Sequence, residues 1–205
     1  MDQKELDKEI FNNVKKEEIT RFEKITVRDF VFLAICAASS LLFSAVMPLV
    51  ANVPVYGLIQ IVVGFQTSLF FALGLFKVRK RGSILFMAVC SGIVQVFMAP
   101  VMFFMSISSA LIIELIFLIF KKGYHYNVIR ILATTLYIPF QMPLLWIYYE
   151  IMNNLPSSYV GNTWWFILLM VLAVVLICFL GTLSGSLIGK ELQKAGVLDV
   201  SRKKQ

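Results

Sequence analysis

The basic residues of this chain fall in four clusters, and every stretch between clusters is apolar and long enough to cross a bilayer twice. Lys4, Lys8, Lys15, Lys16, Arg21, Lys24 and Arg28 form the first cluster, and Lys77, Arg79, Lys80 and Arg81 the second. Lys121, Lys122 and Arg130 form the third; Lys190, Lys194, Arg202, Lys203 and Lys204 close the chain. A helix needs about 20 apolar residues to cross the hydrocarbon core. Such runs lie at 27–50, 54–76, 128–151 and 164–189. Residues 83–120 contain no Lys or Arg. At about 1.5 Å per residue they are too long for one crossing, and Pro100 divides them into 83–99 and 101–120. The expectation is an all-α integral membrane bundle of six transmembrane helices. Cytoplasmic loops carry the excess of Lys and Arg, and only an even number of spans puts all four clusters on one side. Both termini are therefore expected in the cytoplasm of a multi-pass cell-membrane protein.

Composition agrees with lipid as the main solvent. Of 205 residues, 59% are hydrophobic and 15% charged, where a soluble domain carries roughly a quarter charged. The mean hydropathy is +0.82. The net charge of +7 is explained by orientation and anionic head groups rather than by nucleic acid. Three segments are expected: a charged N-terminal stretch at 1–24, the six-helix domain at 25–192 and a basic tail at 193–205. Leu6, Ile10 and Val14, followed by Phe22 and Ile25, fit either an amphipathic surface helix or a solvated tail. The first apolar run is too long for a signal-peptide core, so no cleavable signal is expected. Cys36, Cys90 and Cys178 lie in apolar runs, which argues against a disulfide framework. His125 has no companion at metal-ligand spacing, so no metal and no cofactor are expected.

The two halves of the bundle differ. Pro48, Pro54, Pro100, Pro139, Pro143 and Pro156 lie from mid-membrane outward, as do Trp146, Trp164, Trp165, Tyr56, Tyr148, Tyr149 and Tyr159. Proline frees backbone groups that a membrane tolerates only beside protein or a water-filled cavity. Aromatic belts explain single Trp and Tyr residues; the joint pattern suggests a small-molecule pocket. Its densest constellation comprises Gln141, Trp146, Tyr149, Glu150, Asn153, Asn154, Tyr159, Asn162 and Trp164. Glu150 is the only acidic residue of that half, suited to a cationic or donor-bearing heterocycle stacked on aromatic rings. Gln60, Gln66 and Gln95 are amides within helices, and Gln95 lies near enough to the outer end to reach a ligand.

Glu114 is an intramembrane carboxylate, costly and by default functional; a structural partner such as Lys121, Arg130 or a hydroxyl is weighed against proton coupling. Ala34 and Ala38 present a small-residue face on the first helix, for packing within the bundle or docking on another membrane protein. Gly181, Gly185 and Gly189, at strict four-residue spacing on the sixth, suit close helix packing. The segment ending Gly189-Lys190-Glu191 fails the phosphate-loop spacing, so any ATPase would be a separate chain.

These features resemble the substrate-binding S component of energy-coupling factor transporters. The likeness covers residues 25–198. It rests on length, six spans, the Ala34-x-x-x-Ala38 face, the opening Ile25-Thr26-Val27-Arg28-Asp29-Phe30, and the ending Gly185-x-x-x-Gly189-Lys190 followed by Ala195-Gly196-Val197. Within the family the chain looks closest to members of pterin-like or unassigned substrate, then to the hydroxymethylpyrimidine/thiamine branch. The resemblance implies capture of a vitamin-like molecule from outside, under a cap formed by residues 48–54. Docking through Ala34 and Ala38 onto a transmembrane coupling subunit with two ATPases would follow. Two other classes stand beside it: a self-sufficient transporter or channel, which needs polar groups through the membrane thickness, and a small membrane enzyme, which needs paired acids or a Ser/His set.

Overall fold

The computed structural model describes residues 25–43, 57–97, 100–119, 124, 127–151 and 164–196, without the side chains at 43, 118, 119, 149, 150 and 164. These residues form seven helices and, among them, no strand: α1 (Val27–Phe43), α2 (Leu58–Lys77), α3 (Ser83–Val96), α4 (Pro100–Ile119), α5 (Asn127–Tyr137), α6 (Gln141–Ile151) and α7 (Trp164–Lys194). Four segments are long and apolar enough to cross a membrane: Leu58–Lys77, Pro100–Phe117, Asn127–Tyr148 and Trp165–Lys194. α3 is apolar but shorter, and α1 has 17 described residues. The 31 residues of α7 extend about 46 Å, beyond the roughly 30 Å hydrocarbon core.

The expected single fifth helix is broken. Pro139 lacks an N–H and its ring clashes with the preceding turn. The chain answers with a tight turn in which Gln141 N donates to Ile138 O at 2.9 Å and Met142 N to Pro139 O at 3.2 Å. Pro143 falls in the first turn of α6, where a missing N–H costs nothing.

Polarity is inverted relative to a water-soluble bundle. Ser68, Ser83, Ser91, Ser106, Ser109, Thr134 and Thr182 are buried, while Leu168, Leu172, Leu176, Leu180, Phe104 and Val128 are exposed. In water this would leave an apolar surface uncovered. In lipid it is the expected arrangement: exposed side chains match the acyl chains, and small polar residues bond one helix to the next.

α2 is central, packing against α1, α3, α5 and, most extensively, α7. The α2–α7 approach is set by glycine. A Cβ on Gly181 would stand 2.3 Å from Phe65 O, one on Gly185 2.3 Å from Leu69 O, and one on Gly189 2.7 Å from the Phe76 ring. Gly64 reciprocates from α2 beneath Cys178. On α1, Leu33, Cys36, Ala37 and Ser40 are buried, whereas Ala34 is half-buried and Ala38 exposed. The inward face of α1 is therefore offset from the Ala34–Ala38 line.

Among the described residues, tertiary contacts bring Lys80, Arg130 and Lys190, one from each of the last three basic clusters, toward the end of the bundle where α1 starts. Thr26 and Asp29 cap α1 reciprocally: Thr26 N donates to Asp29 Oδ2 at 3.1 Å and Asp29 N to Thr26 Oγ1 at 3.4 Å. The same carboxylate pairs with Lys80 at 2.8 Å, tying the start of α1 to the α2–α3 connection. Arg130 of α5 donates to Phe76 O at the end of α2, and its side chain shares a cavity with Lys190 of α7.

Candidate functional site

Asn127, Arg130, Thr134, Tyr137 and Gln141 recur at intervals of three and four, a single helical face that spans about 21 Å of rise. Arg130, Thr134 and Tyr137 are buried, because this face of α5 meets α2, α4 and α7. The stripe organises the polar interior into three levels.

The level nearest the Pro139 break is built around Tyr137. Its ring packs on Phe71, with centroids 4.7 Å apart. Its hydroxyl lies among the side chains of Ser106, Ser91, Gln141 and Ser109. The serine protons are already engaged. Ser91 Oγ donates to Ala88 O at 3.2 Å, Ser109 Oγ to Ser106 O at 3.0 Å, and Ser106 Oγ to Gln95 Oε1 at 2.9 Å. Three hydroxyl oxygens thus remain as acceptors, and the phenol proton and the amide N–H groups of Gln95 and Gln141 stand among them as donors. The cluster offers both donors and acceptors.

Just under one turn toward the basic end, Thr182 Oγ1 lies 3.2 Å from the hydroxyl of Thr134 and 3.3 Å from that of Thr135. Thr134 Oγ1 also bonds Arg130 O at 2.9 Å, and Ser68 Oγ reaches Thr134 O at 3.5 Å. This level joins α2, α5 and α7 through hydroxyls alone.

At the basic end a cavity of about 120 Å³ opens between α2, α5 and α7, lined by Arg130, Asn127, Thr134, Thr182, Ser186 and Lys190, with Phe76 as its apolar wall. Arg130 is 9% exposed. Its terminal nitrogens donate to Phe76 O and to Asn127 Oδ1, and its guanidinium lies 5.2 Å from the Phe76 ring centroid.

Glu114 is 8% exposed. Of the partners weighed for it from the sequence, Lys121 lies outside the described residues, and Arg130 is engaged as above. The Glu114 carboxylate receives Gly82 N at 3.0 Å, with the backbone N–H groups of Leu85 and Ile84 also directed to it. Gly82, at φ 84°, is the N-cap of α3 and has no capping side chain of its own. Glu114 therefore caps α3 from α4. Tyr124 presses against the same carboxylate; its buried hydroxyl is not aligned to close a hydrogen bond. Burial first, and then the Glu114 charge, push the Tyr124 phenol well above its ordinary range.

Of the residues singled out from sequence, Gln95 and Gln141 enter the Tyr137 cluster. Trp146 on α6 is half-buried against the core. Tyr149, Glu150 and Trp164 lie in helices, their side chains outside the described residues, as are Asn153, Asn154, Tyr159, Asn162 and the 48–54 loop. The described cavity lies toward the Asn127 end of α5, away from Gln141. Sequence reasoning missed Tyr137, Ser91, Ser106, Ser109 and the polar stripe of α5; the three-four spacing from Asn127 to Gln141 was the available signal. No known protein family, curated protein or solved structure matches the chain.

Proposed function

We propose that this chain is the substrate-binding membrane subunit of an importer, of the S-component type. It crosses the membrane six times with both ends in the cytoplasm, and docks on a coupling subunit driven by two ATPases. The observation that carries the reading is the cluster of hydroxyl and amide groups around Tyr137 at the Pro139 break. Bonding between helices uses some of these groups, and three serines, two glutamines and a phenol gathered at a helix interruption also suit a polar ligand. A heterocycle with donors and acceptors along one edge, as a pyrimidine or pterin has, would bond both kinds of group. Trp146 and the aromatic and amide residues beyond it, Tyr149, Glu150, Asn153, Tyr159, Asn162 and Trp164, would cover such a ligand from the outer side. The exposed Ala38 and half-buried Ala34 leave a small-residue face of α1 open toward the bilayer, where a coupling subunit would pack.

A second reading, a self-contained transporter, is favoured by the polar stripe of α5, which reaches through most of the membrane thickness. One experiment separates them. The purified chain is reconstituted in vesicles alone and with a coupling subunit and its ATPases, and supplied with thiamine, hydroxymethylpyrimidine or a pterin. Uptake only with the partners, lost in Ala38→Leu, supports the S-component reading; full uptake by the chain alone establishes the transporter reading instead. In detergent, thermal stabilisation by the transported compound should fall in Tyr137→Phe and Gln141→Ala. Unchanged binding in both would move the pocket elsewhere.

A further inference from the structure

The cavity at the basic end has no part in that reading, and its chemistry is distinct. Arg130 carries a full positive charge into a nearly closed space. Among the described residues no carboxylate pairs with it: the two ion pairs there are Lys80–Asp29 and Lys194–Glu191. A guanidinium has five N–H donors, and the acceptors it meets are one backbone carbonyl and one amide oxygen. Arg130 Nε is buried with no acceptor. An unpaired buried charge is strongly unfavourable unless something completes it. The Phe76 face supplies only a weak cation–π contact.

The rest of the lining points to what completes it. Thr182 of α7 brings a hydroxyl to the same space, and Lys190 lines it too; the hydroxyl protons of Thr134 and Ser186 are already given to Arg130 O and Leu183 O. Arg79 adds a second guanidinium close enough for its charge to act on Arg130. Cations and hydroxyls without a carboxylate are the donor set for a tetrahedral oxyanion, and a planar guanidinium matches two of its oxygens at once. The volume, about 120 Å³, is several times the roughly 30 Å³ share of one water. It admits a phosphate group and is small for a whole heterocyclic vitamin. We propose that the α2–α5–α7 cavity is a phosphate-binding site, in which Arg130 and Lys190 hold the phosphate group of an anionic lipid head or of a free phosphate ion.

The test reads binding and not uptake, so it is independent of the transport reading. Thermal unfolding of the purified chain in neutral detergent is followed during titration with sodium phosphate against sodium chloride at equal ionic strength and pH. In parallel, native mass spectrometry measures retention of phosphatidylglycerol against phosphatidylcholine. A phosphate-specific stabilisation identifies the free ion as a ligand, and selective retention of phosphatidylglycerol identifies the lipid head. Lys190 is exposed and its side chain supports no packing, so Lys190→Gln should fold and weaken whichever binding is seen at least threefold. Arg130→Gln should abolish it. Absence of both signals, or a signal that Lys190→Gln leaves within threefold of wild type, overturns the site and reduces Arg130 to a cap on the end of α2.

Discussion

The Glu114 carboxylate sits where the first N–H groups of α3 converge, and three of those groups are directed at it. Helix starts leave four donors without partners, and in a bilayer water does not supply them. A carboxylate from the neighbouring helix does so, and the helix dipole favours its charge. Glu114→Gln keeps one acceptor oxygen and should fold near wild type. Glu114→Ala should lose about 0.5–2 kcal/mol, the range for deleting a capping side chain, seen as a lowered unfolding temperature in detergent. A proton carrier would behave differently: Glu114→Gln would then stop uptake while leaving stability intact. Tyr124, beside this carboxylate, predicts a pH effect. Its folded phenol titrates above the ordinary value of 10.0, chiefly through burial and then through the Glu114 charge. The stabilisation is complete below pH 10. As pH rises past 10 the unfolded chain releases the proton and the folded one cannot, so stability falls by about 1.4 kcal/mol per pH unit until the folded phenol also titrates. Tyr124→Phe should flatten this alkaline loss in urea titrations between pH 9 and 11. At neutral pH it should be neutral or stabilising, because it removes a buried hydroxyl without a partner.

Among the elements, the fifth span joins structure to chemistry most directly. Pro139 separates α5 from α6, and Gln141 stands beside Tyr137 across that turn. Pro139→Ala would allow one continuous helix and relieve a substitution worth roughly 3 kcal/mol in a helix interior. The unfolding temperature should hold or rise. Affinity for the ligand should change little, because a continuous helix keeps residues four apart on the same face; a large loss of affinity would show that the proline turn itself sets the pair. The existence of the apolar runs was legible in the sequence, since hydropathy needs only composition, and Pro139 marked the break. The opening Thr26-x-x-Asp29 was also legible as a pattern, and the structure gives it a cause: a capping box whose acid also holds Lys80. The partners of Tyr137 were not legible. Ser91 is an isolated hydroxyl in the apolar run of α3, and Ser106 and Ser109 belong to the short stretch Ser106-Ile107-Ser108-Ser109 on α4, which does not show which serine faces inward. Bringing them together requires the rotation of three helices about their axes, which no single helix encodes. The same holds for Glu114, whose partner is backbone and carries no sequence signature.

Across the described residues, the interior is an apolar core with bonded hydroxyls set into it, and the exterior is apolar too. Asp29–Lys80, Gly82–Glu114 and Arg130–Phe76 join the ends of α1 to α5 at one end, and Lys190 of α7 lines the cavity there. Geometry alone leaves the bundle free to sit either way up. The orientation proposed above puts that end inside, because moving several cations to the outer face opposes both insertion bias and membrane potential. The orientation decides what each site can meet. With the basic end inside, the Tyr137 cluster lies toward the outside, where scarce nutrients arrive, and the Arg130 cavity faces cytoplasmic phosphate and the anionic inner leaflet. Two exposed positions at opposite ends report it: Phe97, just past α3, and Lys194, at the end of α7. In a Cys90→Ala background, with Cys36 and Cys178 buried, Phe97→Cys should react with a membrane-impermeant maleimide in intact cells. Lys194→Cys should react only after permeabilisation. The reverse pattern would turn the bundle over, put the Tyr137 cluster on the cytoplasmic side, and make capture from outside through it untenable.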